Sequence, residues 1–453
     1  MRRKLQKTIG LVMPVLLVVL LAGQIFAAPK PVTIRFMYWA DGEQKKVVEQ
    51  VCKKFNQLNP DIIVKPEAKP SDLNFDAMMA TLIGSKNLPD CSYMGETDTL
   101  RYYEKGVLAD LSSFFKKDLG KKLDAVTIKS TDGKTIAAGL SDQVMILYYN
   151  KDLFDKAKME YPPASPDKAW DWNKFVEAAT KLTVDANGKH PGEAGFDPNQ
   201  VVTYGVNVSF FFQFSFMWAL NSNGGGTVSP NGKELWFNKP ESIDALQKVA
   251  DLINKDQVHP AVGSNQAGAI GGVDQALLSG KVAMFISGSW DIANAGRAKR
   301  ENSLNYGIAA LPKLKVPVTM NCGAPLVIYK TSKHLAQAKR FYKFMMDPEQ
   351  VLDIIKTGAW LPNEEKWYTD PALLAKWIDS PNFPSEARTL IPAYALKYTA
   401  QWPAYSCPPW SRMGSQFDPA WDALWAGKKT AKETVDSFMP KIKPIFASGK
   451  AND

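Results

Sequence analysis

The chain has 453 residues, 45% of them hydrophobic, enough for two domains with full cores. Its formal charge is +9, but four positive charges sit in the first seven residues and no dense Lys/Arg tract follows, so a nucleic-acid or anionic-membrane partner is not indicated. Cys-x-x-Cys, His-Glu-x-x-His, Gly-x-Ser-x-Gly and Walker motifs are all missing, which leaves zinc-knuckle, thiol-redox and the common hydrolytic chemistries without a signature.

Residues 1–28 read as an export signal: Arg2, Arg3, Lys4 and Lys7 form a basic start, Leu11–Leu21 is apolar apart from Pro14, and Ala27-Ala28 offers a cleavage site. The apolar run is shorter than the ~20 residues of a spanning helix, as is Phe210–Leu220 later on. Leu21-Ala22-Gly23 precedes Gln24 and not a cysteine to be lipidated. The expected product is therefore periplasmic or secreted, non-lipidated and not membrane-inserted.

Val32–Trp39 is β-branched and aromatic and predicts a buried strand. Val47, Val48, Val51, Cys52 and Phe55 then share one helical face, and Ile62–Val64 predicts the next strand. A helix over 74–85 and a strand at Cys91–Met94 continue a β–α–β–α alternation, which indicates an α/β domain with a mostly parallel sheet. Val144–Tyr149 is an unbroken apolar strand, Asn150 opens a helix, and Asp171 or Asn173 caps another with Phe175, Ala178, Ala179 and Leu182 inward. Asp185–Lys189 is a turn that lacks the later ligands of a calcium loop. Helices over 245–253, 274–278 and 335–346 and strands over 281–286, 306–310 and 326–329 follow, with no repeat and no linker. That pattern favours two lobes joined by several crossings. His190, His259 and His334 lie in polar or turn contexts and are expected to be exposed. Cys52, Cys91, Cys322 and Cys407 permit three disulfide pairings or four buried thiols.

Phe55–Pro60, Leu88-Pro89-Asp90, Leu147–Phe154, Trp170–Phe175, Gly280–Trp290, Tyr306–Pro312 and Gly427–Glu433 follow one another in a fixed order, Gly280–Trp290 being the most specific. From Thr33 to Phe446 these stretches resemble the extracellular solute-binding proteins of family 1, the maltose-binding-like components of ABC importers. The resemblance implies a two-lobed periplasmic binding protein fold of type II, with the ligand cleft between lobes joined by a hinge the chain crosses repeatedly. Crossings are expected near Gln143–Leu147, Tyr306–Ala310 and Ile354–Leu361. This assigns 30–143 and 309–354 to an N-lobe, and 144–308 and 355–453 to a C-lobe.

The implied function is capture of a mono- or oligosaccharide by a monomer, followed by delivery to the permease subunits of an ABC importer, with no cofactor, metal or catalysis. A sugar needs planar donors and acceptors for its hydroxyls and aromatic faces for its C–H surfaces. By resemblance, strand-end loops supply them: Trp39, Asp41 and Glu43; Glu96, Thr97 and Asp98; and Asp142 and Gln143 at the first crossing. From the other lobe come Phe214, Trp218, Asn221, Trp290 and Asp291. Asn321, Gly323, Trp360, Trp402, Trp410 and Arg412 complete the set. Each tryptophan is also ordinary core filler, and each carboxylate a common cap or surface group. A polyamine, which wants several acids around an aromatic box, and a phosphorylated polyol, which wants arginine and helix N-termini, are the alternative ligands. A secreted glycoside hydrolase with paired carboxylates is the alternative class.

Overall fold

The computed structural model describes residues 30–40, 42–69, 75–130, 132–210 and 213–452; the export segment 1–28 and Asp41 lie outside the described residues. Two sheets organise the chain. The first is built from β1 (Val32–Trp39), β2 (Ile62–Lys69), β3 (Cys91–Tyr93), β4 (Thr127–Lys129), β5 (Thr135–Gly139) and β12 (Pro325–Ile328) in the order β2-β1-β3-β12-β5-β4. β1 is parallel to β2 and β3, whereas β12 runs antiparallel to β3 and β5. The second contains β6 (Gln143–Asn150), β7 (Val184–Asp185), β8 (Val201–Val208), β9 (Val282–Gly288), β10 (Tyr306–Ala309), β11 (Thr319–Cys322) and β13 (Thr399–Ala400). Its order is β13-β11-β6-β9-β8-β7, with β10 also paired to β6.

All eight residues of β6 and all seven of β9 are buried, which explains the apolar stretches Val144–Tyr149 and Val282–Ile286 within them. Caps delimit the helices as the sequence predicts. Asn150 accepts from the Leu153 amide at 3.1 Å and opens Lys151–Lys156, and Asp171 accepts from Lys174 at 2.8 Å and opens Trp172–Leu182. The last helix, Ala431–Ser448, starts in a reciprocal box in which Thr430 and Glu433 bond each other's amides at 3.2 and 2.8 Å. Thr430→Ala should therefore cost about 1 kcal/mol in a urea titration.

The crossings between sheets differ from the sequence-based expectation. Leu140–Asp142 carries the chain from β5 to β6, so Gln143–Leu147 already belongs to the second sheet. Tyr306–Ala310 is no crossing: Tyr306 pairs with Asn150 and Ala309 with Leu147, and the following β11 bonds Gln143 and Val144. The return to the first sheet falls at Gly323-Ala324, between β11 and β12. The third passage is nearer to expectation. Leu361 takes the Asp142 amide at 3.3 Å, and Ala359 takes the Gln143 side-chain amide at 2.8 Å. All four cysteines are free, buried thiols. His259 is also buried, contrary to expectation: Phe210 packs on its ring at 5.1 Å, and its two nitrogens lie 2.7 and 3.3 Å from the Pro260 and Val208 carbonyls, of which a neutral ring donates to one. Desolvation lowers its pKa to about 4.

Candidate functional site

β3 ends at Tyr93, and Met94-Gly95 turns directly into the helix Glu96–Glu104, whose N-cap, Gly95, makes no side-chain cap bond. Glu96 and Asp98 in the first turn complement the positive end of the helix dipole. Glu96 is buried, and its Oε1 accepts from the Gly323 amide at 2.7 Å and the Tyr405 hydroxyl at 3.2 Å. One carboxylate thus joins a first-lobe helix, the second crossing and the short Pro403–Tyr405 turn that follows β13. Burial pushes its pKa above the ordinary carboxylate value, against the pull of those hydrogen bonds. Thr97 is half-buried beside it, and Asp98 is salt-bridged to Arg101 at 2.7 Å.

Aromatic rings cluster on each lobe. On the first, Trp39 at the end of β1 meets Tyr93 edge-on at 5.3 Å, and Tyr93 contacts Trp360 at 6.1 Å. On the second, Phe214 stands edge-on to Trp290 at 6.0 Å and to Trp402 at 5.1 Å. Gly288 permits this arrangement, because a Cβ there would lie 1.9 Å from the Trp290 ring. Trp39 and Trp290 are half-buried, and the Trp402 indole N–H is buried without an acceptor among the described residues.

The remaining candidates are more deeply packed or bonded to other parts of the chain, although Trp360 touches Tyr93 and Trp410 stands edge-on to Trp402 at 6.4 Å. Trp218 is core: its indole donates to Ser215 at 3.0 Å and its ring packs on Trp172. Trp360 is equally buried, and Trp410 is enclosed by Phe237 and Phe417. Arg412 reaches the Ser448 hydroxyl and the Lys450 carbonyl, both at 3.2 Å. Gln143 holds the third crossing through its side-chain amide, and Asn221 is half-buried against Gly226. Asp291 accepts from Ser287 at 2.7 Å, with desolvation raising its pKa to about 6. Asp142 and Asn321 are fully buried at the crossings. Glu43 is described only as backbone of the helix Gly42–Leu58.

Sequence reasoning missed Tyr93, Tyr405 and Gln213. Gln213, just before Phe214, accepts from the Trp410 indole at 3.2 Å and donates to Asp418 at 2.7 Å, which fixes its amide at both ends. Tyr405 lies three positions after Trp402 in a Pro-rich aromatic stretch, a signal that was available. A cavity of about 570 Å³ lies between Leu119–Ala125, Glu364–Lys366, Ala395–Lys397 and Thr399, and none of the candidate aromatic rings lines it. Among the described residues, no group of acids, histidines and cysteines is arranged to hold a metal, and no helix is long and apolar enough to cross a membrane.

A sequence profile of bacterial extracellular solute-binding proteins matches residues 50–385. The chain is 23% identical over 426 residues to the sn-glycerol-3-phosphate-binding periplasmic protein of Salmonella typhimurium, covering 90% of this chain and 91% of that one. Its fold matches the ABC substrate-binding protein of Listeria monocytogenes in complex with cycloalternan, with a TM-score of 0.74, 22% identity, and 92% and 100% of the two chains covered. It also matches the GacH receptor of Streptomyces glaucescens, solved unliganded and in complex with acarbose and an acarbose homolog, with a TM-score of 0.73, 19% identity, and 92% and 99% covered. These structural likenesses establish the shared two-lobed fold.

Proposed function

Because the chain belongs to the bacterial extracellular solute-binding proteins, we propose that it captures a carbohydrate between its lobes and delivers it unmodified to an ABC importer. The observation that carries this reading is the pair of aromatic clusters, Trp39 with Tyr93 and Phe214 with Trp290 and Trp402. Trp39 and Trp290 offer faces to sugar C–H surfaces, while Thr97, Glu96 and the Trp402 N–H offer partners to hydroxyls. A ligand that touches both lobes at once favours the closed form, since only differential binding shifts that equilibrium. The Listeria protein is in complex with cycloalternan and the GacH receptor has been solved both unliganded and in complex with acarbose, which agrees with a carbohydrate ligand. In this reading the exported monomer carries no lipid and performs no turnover.

A phosphorylated polyol is the second reading, because the Salmonella relative binds sn-glycerol 3-phosphate. Against it, Arg412, the one arginine among the expected contacts, bonds the Ser448 hydroxyl and the Lys450 carbonyl. A thermal-shift screen of the mature protein against mono-, di- and oligosaccharides, sn-glycerol 3-phosphate and polyamines separates the readings. Ligand at 100 times its Kd adds about 2.7 kcal/mol to stability. A shift with a sugar supports the proposal; a shift with glycerol phosphate or a polyamine alone overturns the ligand class. For a sugar that binds, Trp290→Ala should weaken affinity roughly tenfold or more by calorimetry, as expected for a contact-making aromatic.

A further inference from the structure

The three crossings converge on one buried point. Leu140 and Ser141 bond the Ala324 and Gly323 carbonyls at 3.3 and 3.4 Å, while the Ser141 hydroxyl accepts from Leu361 at 2.7 Å. Asp142 and Asn321 meet there, both with 0% exposure. The Asn321 amide donates to the Ala125 carbonyl at 2.8 Å and to Asp142 Oδ1 at 3.3 Å. Two oxygens are left over: Asp142 Oδ2 and Asn321 Oδ1 are both buried without a hydrogen-bond partner among the described residues. With Asp142 ionised, both are acceptors, and neither can satisfy the other.

The described surroundings do not supply the missing donor or a countercharge. The titratable groups acting on or facing Asp142 are Tyr368, Cys322 and Tyr405, with Glu96 beyond the last two. The Tyr368 hydroxyl donates to the Pro362 carbonyl, the Tyr405 hydroxyl to Glu96, and the Cys322 thiol to Gln143. Lys122, beside the third passage, is committed to Glu364 and the Met346 carbonyl.

A single proton satisfies both oxygens. We propose that Asp142 is a neutral carboxylic acid at the hinge, donating from Oδ2 to Asn321 Oδ1, so that the joint between the lobes is held by a proton and weakens when it is lost. The acid and the amide then exchange two hydrogen bonds, O–H to O and N–H to O, each partner giving one and taking one. Burial without a countercharge also places the Asp142 pKa at about 7. An unfolded aspartate titrates near ~3.9. The folded pKa is the higher one, so this contribution to stability is complete in acid, falls as pH rises above the unfolded value, and is lost above about 7.

The test is Asp142→Asn, which keeps the two-bond pairing with Asn321 through a permanent N–H donor. Melting temperatures of wild type and variant should nearly coincide at pH 4.5, and the variant should melt several degrees higher at pH 8. A variant equally or more destabilised at pH 8 than at pH 4.5 would overturn the proposal. Should the variant not fold, a ¹³C NMR titration of carboxyl-labelled aspartate decides the matter in a protein carrying Asp291→Asn and Asp418→Asn, the two other aspartates that burial raises to about 6. One aspartate with a midpoint near neutrality is expected; titration of every aspartate below pH 5 would reject the shared proton.

Discussion

Replacing Gly205 by alanine should lower stability by about 3 kcal/mol or more, the upper end for overpacking a core. Gly205 lies in the middle of β8, where a Cβ would stand 1.9 Å from the Ala179 carbonyl oxygen and 2.6 Å from its Cα. Those are backbone atoms of the helix Trp172–Leu182, so no rotamer change relieves the clash and the helix must leave the sheet. It is anchored there by Thr183, whose hydroxyl accepts from the Gly205 amide at 2.9 Å and donates to Ala179 at 2.8 Å. Because β8 leads into the Phe214 segment, the displacement should also disturb the second-lobe aromatic cluster. Gly188→Ala is the control: Gly188 sits at φ +74° in open space, so it should lose only about 1 kcal/mol from backbone strain. Urea midpoints measure both. Equal midpoints for the two variants would show that the close approach is not limiting.

Most of the architecture was legible because its local signals are strong. β1 is rich in β-branched and aromatic residues, β6 and β9 have long apolar stretches, and Asn150 and Asp171 cap the helices Lys151–Lys156 and Trp172–Leu182. The hinge was misread for a physical reason. A four-residue apolar strand such as Tyr306–Ala309 looks the same whichever sheet it joins, because its partner, β6, lies more than 150 residues away in sequence. The true crossing had a local mark in Gly323, where a Cβ would meet the Ser141 carbonyl at 2.3 Å, but no pattern in the chain distinguishes that glycine from one in a turn. His259 failed in the same way: Pro260 beside it suggests an exposed turn, while its burial comes from Phe210 and Val208, about 50 residues earlier.

The site was legible by residue type and less so by residue. Glu96 and Gly323 were both expected as ligand contacts; the structure bonds them to each other across 227 positions. Tryptophan is harder to sort. Trp218 and Trp290 both follow serine- and aromatic-containing segments, yet one has its N–H satisfied inside its own helix and the other stands half-buried against Phe214. The face a ring presents depends on neighbours supplied by other segments, and spacing along the chain carries little of that information.

Glu96→Ala should be the most damaging change at the lobe junction, costing about 2–4 kcal/mol. It strands the buried Gly323 amide and the Tyr405 hydroxyl together, and each buried unsatisfied donor costs about 1–3 kcal/mol. It also removes a carboxylate from the first turn of its helix, a smaller loss of about 0.3–1 kcal/mol. Glu96→Gln keeps an acceptor oxygen for Gly323 and should cost roughly 1 kcal/mol at pH 5. The pH dependence separates charge from hydrogen bonding. Burial raises the folded pKa of Glu96 above its ordinary value, so its contribution is complete in acid and diminishes as pH rises through the folded value. The gap between wild type and Glu96→Gln should therefore narrow from pH 5 to pH 8, while the larger deficit of Glu96→Ala persists at both. Urea titrations of the three proteins at the two pH values measure this. A gap that widens with pH would mean that the ionised carboxylate is the favoured form, and that the Gly323 and Tyr405 hydrogen bonds outweigh the cost of burying its charge.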